Sequence, residues 1–256
     1  MRMAGLLEVC ADSVCSAVNA ARGGADRIEL CSALPLGGLS PDEDLFCMVR
    51  ERIDIPVRVL LRPRAGDFLY DEDEFELLCR QASRFAGLGA DGIVIGMLNP
   101  DGTLDAERMS ALMACGDGCG VTLHRAFDVC RDAHEALRTA KKLGVDTILT
   151  SGQQARCADG APLLRELVSE SGEGLRILIG GGVNADVIRA LAPQTGADAF
   201  HLSAKTAVPS GMEFRRENVP MGIPGLNEFE LLRCDAASVR AAREALDAVC
   251  TARKEN

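Results

Sequence analysis

The sequence predicts an α/β fold, a single (β/α)8 barrel domain covering residues 1–256, and three observations carry that prediction. Eight short Val/Ile/Leu-rich runs alternate with eight helical segments, the order demanded by a parallel sheet whose strands are joined by crossover helices. The junctions Gly24-Ala25-Asp26, Gly89-Ala90-Asp91, Gly144-Val145-Asp146 and Gly196-Ala197-Asp198 repeat one device: a glycine ends a helix in a left-handed cap, and the chain turns into a strand. The length of 256 residues suits one such barrel, and no linker or low-complexity segment marks a domain boundary. A doubly wound open sheet is the alternative architecture.

The strand candidates are Leu6 to Cys10, Arg27 to Cys31, Val57 to Arg62, Gly92 to Gly96, Val121 to Arg125, Thr147 to Thr150, Arg176 to Gly180 and Ala199 to Ser203. Each is short and mostly apolar, as strands buried on both faces are. The first two close on Glu8-Val9-Cys10 and Glu29-Leu30-Cys31, 21 residues apart with a helix between them, which makes a minimal parallel βαβ unit. Helices are expected over Val14 to Arg22, Asp42 to Arg52, Asp73 to Leu88, Asp105 to Ala114, His134 to Leu143, Ala161 to Ser171, Asp186 to Leu191 and Ala236 to Ala252. Several open on Asp, and Ser40-Pro41 supplies a cap followed by a proline suited to a first turn. Residues 207–233, with Pro209, Gly211, Pro220, Gly222, Pro224 and Gly225, break the rhythm. They read as a long loop that is a lid, an oligomer contact or a plain solvated connection.

Composition excludes several functions. A net charge of −10 with no basic stripe argues against nucleic acid. No run approaches the roughly 18 apolar residues that span a bilayer, so no membrane partner is expected. The stretch Met1 to Glu8 has no secretory core, and a cytoplasmic protein is the expectation. Eleven cysteines, an odd number scattered along the chain, read as reduced thiols. Cys115 and Cys119 have the spacing of half a zinc site, but no second pair follows and they read as a loop feature.

The polar residues gather where strands end, the face on which barrels build their sites. Side chains alternate with a period of two, so Glu8 shares a face with Cys10 and Glu29 with Cys31; if that face is the lumen, the four line one wall. After the third run comes Arg62-Pro63-Arg64-Ala65-Gly66-Asp67-Phe68, whose arginines either hold an anionic ligand or compensate the two glutamates. His124 and Arg125 end the fifth run with Asp128 close behind; a histidine there acts as a general base, binds a metal or simply packs. His201 repeats the placement on the eighth, with Ser203 and Lys205 expected on the same side. Ser151 and the glycines Gly181 and Gly182 sit where barrels bind phosphate through backbone N–H groups, although a tight turn explains the glycines equally well.

Taken together, Leu-Glu-Val-Cys, Gly-Gly-Ala-Asp-Arg-Ile-Glu-Leu-Cys-Ser, Gly-Gly-Leu-Ser-Pro, Arg-Pro-Arg-Ala-Gly-Asp-Phe-Leu-Tyr, His-Arg-Ala-Phe-Asp, Leu-Thr-Ser-Gly-Gln, Gly-Gly-Gly-Val and Phe-His-Leu-Ser-Ala resemble the CutC family, named for copper homeostasis, in order from Leu7 to about Met212. The resemblance implies a cytoplasmic (β/α)8 barrel, a homo-oligomer with a dimer favoured, and Cu(I) bound by Cys10 and Cys31. The chain departs from the family pattern at Ala65, where glycine is common, and at Lys205, where arginine is frequent; lysine lacks the two-pronged geometry for an anion.

Two functions follow. In the first, the soft thiols of Cys10 and Cys31 bind Cu(I), opposed by Glu8 and Glu29, whose charge disfavours thiolate. In the second, an enzyme acts on a small anionic, possibly phosphorylated metabolite: Glu8, Glu29, Arg62, Asp67, His124 and Arg125 form the catalytic rim, and Arg64, Ser151, Gly181, Gly182, His201, Ser203 and Lys205 hold the anion. A scaffold that uses the barrel only for shape leaves the convergence of ionisable groups unexplained.

Overall fold

A computed structural model describes residues 5–255 apart from 217, 218, 220, 224 and 226. Residues 1–4 of the N-terminal stretch, and Pro220 and Pro224 of the expected loop, lie outside the described residues. In chain order the elements are β1 (Leu6–Ala11), α1 (Val14–Gly23), β2 (Arg27–Leu30), α2 (Glu43–Arg50), β3 (Val57–Leu60), α3 (Glu72–Gly87), β4 (Gly92–Ile95), α4 (Ala106–Cys115), β5 (Gly120–Leu123), α5 (Ala133–Leu143), β6 (Thr147–Thr150), α6 (Ala161–Ser171), β7 (Arg176–Ile179), α7 (Ala185–Thr195), β8 (Ala199–Leu202), β9 (Lys205–Pro209), β10 (Glu230–Cys234) and α8 (Ala236–Glu255). Strands β1 to β8 pair in sequence, all in parallel, and β8 returns to β1 to close the barrel.

Alternation decides what each strand shows to the lumen. Leu7, Val9 and Ala11 of β1 and Ile28 and Leu30 of β2 join the main core between barrel and helices, which turns Glu8, Cys10, Glu29 and Cys31 inward. Two smaller apolar clusters fill the lumen itself: Cys31, Leu60 and Val94 under Leu34, and Leu149, Leu178 and Ala199 beside Leu6.

The repeated Gly-x-Asp junctions build the floor, the end where strands begin. Gly24, Gly89, Gly144 and Gly196 all have φ between 79° and 93°, the left-handed region open to glycine. The aspartate that follows accepts a backbone N–H from a neighbouring strand: Asp26 from Leu7, Asp91 from Val57 and Asp146 from Val121. Each of the four aspartates also pairs with an arginine, Arg243, Arg50, Arg58 and Arg176 in turn. Arg58 crosses the floor to reach Asp146, Thr122 and Thr147. It has room because Gly92 and Gly120 lie along its path, where an added Cβ would fall 2.8 Å and 2.6 Å from its atoms.

Two expectations need correction. Residues 207–233 are not one long loop, since the described residues at either end pair as the antiparallel ribbon β9–β10, which the surrounding Gly and Pro obscured. Lys205 is not aligned with Ser203. The chain leaves β8 through Ala204 at φ 44°, and Lys205 opens the ribbon opposite Cys234, exposed.

Candidate functional site

Strand register sets the first contacts. Glu8 stands beside Arg27 on β2 and His201 on β8, and Cys10 stands beside Glu29. Arg27 Nε donates to Glu8 Oε2 at 2.5 Å and His201 Nδ1 lies 2.8 Å from Oε1, so both carboxylate oxygens are engaged. Burial works to raise the Glu8 pKa, but Arg27 and His201 outweigh it and hold the group at about 2. Burial likewise works to lower His201, yet contact with Cys10 and Glu8 and the charge of Glu29 push it well above the ordinary histidine range.

Glu29 has no such support. Its Oε2 is buried without a partner among the described residues, and burial, reinforced by Glu8 and opposed by His201 and Arg27, lifts it to about 7. Glu8, Glu29 and His201 bring three ligand atoms within 4.8 Å of one another. As a metal cage the group is poor, because Glu8 is committed to Arg27 and His201 already carries a proton.

Above this layer lie the thiols. Cys10 Sγ faces Leu202 O at 3.7 Å and Cys31 Sγ faces Ala11 O at 3.5 Å. Burial, then Cys10, Glu29 and Asp12 in that order, drive the Cys31 thiol well up, so the two sulfurs and two acids lie within one another's field. Cys31 is fully buried. A short 3-10 turn, Leu34–Leu36, covers it, and a Cβ added at Gly38 would lie 3.9 Å from its sulfur. Arg62 latches this cover, its Nη1 donating to Leu36 O and Gly38 O and its Nη2 to Gly66 O.

Across the mouth, the Phe68 ring packs against His124 at 4.8 Å and under the Arg62 guanidinium at 5.2 Å. The His124 ring rests on Gly96, where a Cβ would come within 2.6 Å. His124 Nδ1 accepts from Ala126 N, which leaves the proton on Nε2, buried and unpartnered. Burial and the Arg62 charge bring this histidine down to about 3, so it is neutral. Tyr70 Oη and Arg62 Nε are also buried without a partner. Burial pushes the Tyr70 phenol up to about 12.

Other expected site residues lie apart from this cluster. Arg64 turns outward to Glu74, Asp67 and Leu69 O, and Asp67 is exposed beside it; their ion pairs with each other and with α3 replace any role facing the lumen. Arg125 is tied to Asp128 and Ser151. Asp128 in turn accepts from Thr150 Oγ1, Ser151 N and Gln153 N, so this set clamps the β6–α6 loop. Gly181 and Gly182 hold φ of 97° and 86°, and Gly181 packs on Ser151, where a Cβ would lie 3.0 Å away. Ser203 is half-buried at the end of β8.

Sequence reasoning missed Arg27, Asp12 and Tyr70. Arg27 was within reach of it, since it precedes Glu29 by two and shares its face; Asp12 follows Cys10 by the same rule.

A match to the CutC family covers residues 5–206. The chain belongs to the CutC family. Among its relatives, the human copper homeostasis protein cutC homolog is 43% identical over 237 residues, 92% of this chain and 86% of the human one. A CutC family protein from Chromobacterium violaceum is 40% identical over 242 residues, 94% of this chain and 98% of its own. Among solved structures, CutC from Streptococcus agalactiae superposes with a TM-score of 0.73 at 26% identity, covering 78% of this chain and 98% of the other. Among the described residues, no helix is long and apolar enough to cross a membrane.

Proposed function

We propose that this chain serves copper homeostasis in the cytoplasm by binding Cu(I) as cargo between the sulfurs of Cys10 and Cys31. The observation that carries the reading is the placement of two free thiols on one lumen wall, each within the other's field. Soft thiolates select a monovalent soft ion over harder competitors. Glu8 is held by Arg27 and His201, and the free oxygen of Glu29 is a hard donor that a soft monovalent ion passes over, which leaves the two sulfurs as the matching donor set. Since the Cys31 thiol is held protonated, Cu(I) must displace its proton, and affinity rises with pH. The test is a titration of the reduced protein with Cu(I) against a competing chelator. Cys10→Ser and Cys31→Ser should each weaken binding at least tenfold, and wild-type affinity in both variants discards the site.

A second reading has its own support. His124 Nε2, Tyr70 Oη and Arg62 Nε are buried donors without acceptors, and such groups are costly unless a ligand or water meets them. They suit an oxygen of a small anionic metabolite, with Glu29 exchanging protons near neutral pH. Calorimetry with inorganic phosphate tests it: binding lost in Tyr70→Phe supports a ligand pocket, and no heat at millimolar phosphate argues for copper alone. The homodimer implied by the family finds support in exposed Met212, Phe214 and Met221 beyond β9; a monomer mass by light scattering would end that proposal.

A further inference from the structure

Among the described residues three arginines are buried: Arg27, Arg58 and Arg62, each less than a tenth exposed. Two have a carboxylate, Glu8 for Arg27 and Asp146 for Arg58. Arg62 has none among the described residues, and its bonds go to backbone carbonyls instead: Nη1 donates to Leu36 O at 3.2 Å and Gly38 O at 3.1 Å, and Nη2 to Gly66 O at 2.8 Å. A guanidinium carries five N–H protons. Those left over are the one on Nε, which is buried without a partner, and the second on Nη2. Nε and Nη2 share one edge of the group, the edge that grips a carboxylate or phosphate with two parallel bonds. A buried cation without a counter-charge is costly until an anion meets it. Phe68 packs under this guanidinium at 5.2 Å and against His124 at 4.8 Å, and the Nε2 of that histidine is unmet as well.

The Nη1 side of Arg62 has a different task. Ser32 and Leu39 exchange backbone hydrogen bonds of 2.8 Å at the neck of the loop over Cys31, and Leu34 packs on that residue. Inside the loop the bonds run between its own members, Leu36 N to Ala33 O and Gly37 N to Leu34 O. From outside it, residues 33–38 receive hydrogen bonds from Arg62 alone among the described residues. The neck is pinned, and the tip is held by one side chain.

We propose that a small oxyanion seats on the Nε–Nη2 edge of Arg62 and thereby locks the cover over Cys31. The proposal rests on the anion reading of the mouth given above and adds its regulatory consequence, that the ligand controls entry to the thiol. The sign follows from the shared group. With its free edge empty, an excursion of the Arg62 side chain releases the carbonyls of Leu36 and Gly38 together. With an anion on that edge, the same excursion must also break the ion pair, so closure of the cover and binding of the anion reinforce each other.

The experiment measures alkylation of Cys31 by iodoacetamide in the reduced chain, at fixed pH and ionic strength, read peptide by peptide with exposed Cys15 as the internal reference. Calorimetry with inorganic phosphate runs beside it. Saturating phosphate should slow Cys31 in wild type by at least about fivefold, the low end of coupling between linked sites, and leave Cys15 unchanged. Arg62→Lys keeps the charge but not the two edges, so Cys31 should react faster without phosphate and show no phosphate effect. Arg62→Gln takes its place if the lysine variant fails to fold by circular dichroism. Heat of binding with unchanged or faster alkylation overturns the lock and leaves the anion site standing. Equal slowing in the Arg62 variant also overturns it, because phosphate then acts elsewhere. No heat and no slowing in wild type removes the anion reading and the lock together.

Discussion

The two ends of the barrel use the same residue types to opposite effect. At the floor the four repeat aspartates pair with four arginines, three of them also receive a strand N–H, and Arg243 Nε alone of these groups is buried without a partner among the described residues. At the mouth and in the layer below it, Asp12 Oδ1, Glu29 Oε2, Arg62 Nε, Tyr70 Oη and His124 Nε2 are buried with no partner among the described residues. A satisfied network holds strands in register; an unsatisfied one waits for something to bind. Backbone conformation divides the same way. The floor turns use glycine at positive φ, whereas the three non-glycine residues there, Ala33, Gln153 and Ala204, all lie in loops at the mouth, where stored strain tends to accompany function.

The sharpest way to break this contrast is Arg58→Ala. Removing one partner of a buried ion pair costs about 3–5 kcal/mol, and the lower end applies because the Asp146 side chain remains 37% exposed. We expect urea unfolding to register a loss of about 3 kcal/mol, while Cu(I) stoichiometry of the folded fraction stays at the wild-type value. A loss of copper without a loss of stability would reverse the assignment of the two ends.

Glu29→Gln probes the mouth from the other side. Glu29 titrates at about 7 in the folded chain against a reference of 4.5, so the folded state holds its proton more tightly. That contribution is complete below about pH 4.5 and is lost as pH rises through 7, worth up to about 3 kcal/mol between those limits. His124 acts in the opposite sense: brought down to about 3 from 6.5, it adds stability above pH 6.5 that disappears as pH falls. The two slopes overlap between pH 4.5 and 6.5, so wild type alone blurs them. The difference between E29Q and wild type isolates Glu29: denaturant unfolding at pH 5 and pH 8 should find the variant gaining on wild type at the higher pH. A parallel pair of curves means that Glu29 is ionised throughout.

The ease of reading the sequence follows this same division. The floor was legible because its device repeats four times and because helix and strand periods alternate without interruption. The inward wall of Glu8, Cys10, Glu29 and Cys31 was legible too, since period-two alternation holds wherever a strand is regular. It fails where the strand stops. Ala204 in a left-handed conformation ends the alternation of β8 before Lys205, which opens the ribbon instead, and no local pattern announces such a turn at an alanine. Arg64 and Asp67 were misplaced because their partner Glu74 lies on the next helix, and Arg125 because Asp128 draws it into a loop clamp. The unpartnered Tyr70 and His124 atoms depend on packing around Phe68 that composition does not encode. Ribbon β9–β10 was hidden by the glycines and prolines of the segment between its strands.

The smallest predicted effect tests the backbone half of the contrast. An added Cβ at Gly144 meets nothing within 4 Å and φ is 82°, so Gly144→Ala pays only the left-handed penalty, about 1 kcal/mol. Ala33 already bears that penalty at φ 50° in the turn that covers Cys31. Ala33→Gly relieves it but enlarges the freedom of the unfolded chain, so its gain stays below about 1 kcal/mol. Thermal denaturation should therefore move the two variants in opposite directions, down for the floor and slightly up for the mouth. If Ala33→Gly also lowers Tm, the alanine is held by its contacts rather than strained, and the cover over Cys31 is part of the rigid frame instead of a surface built to yield.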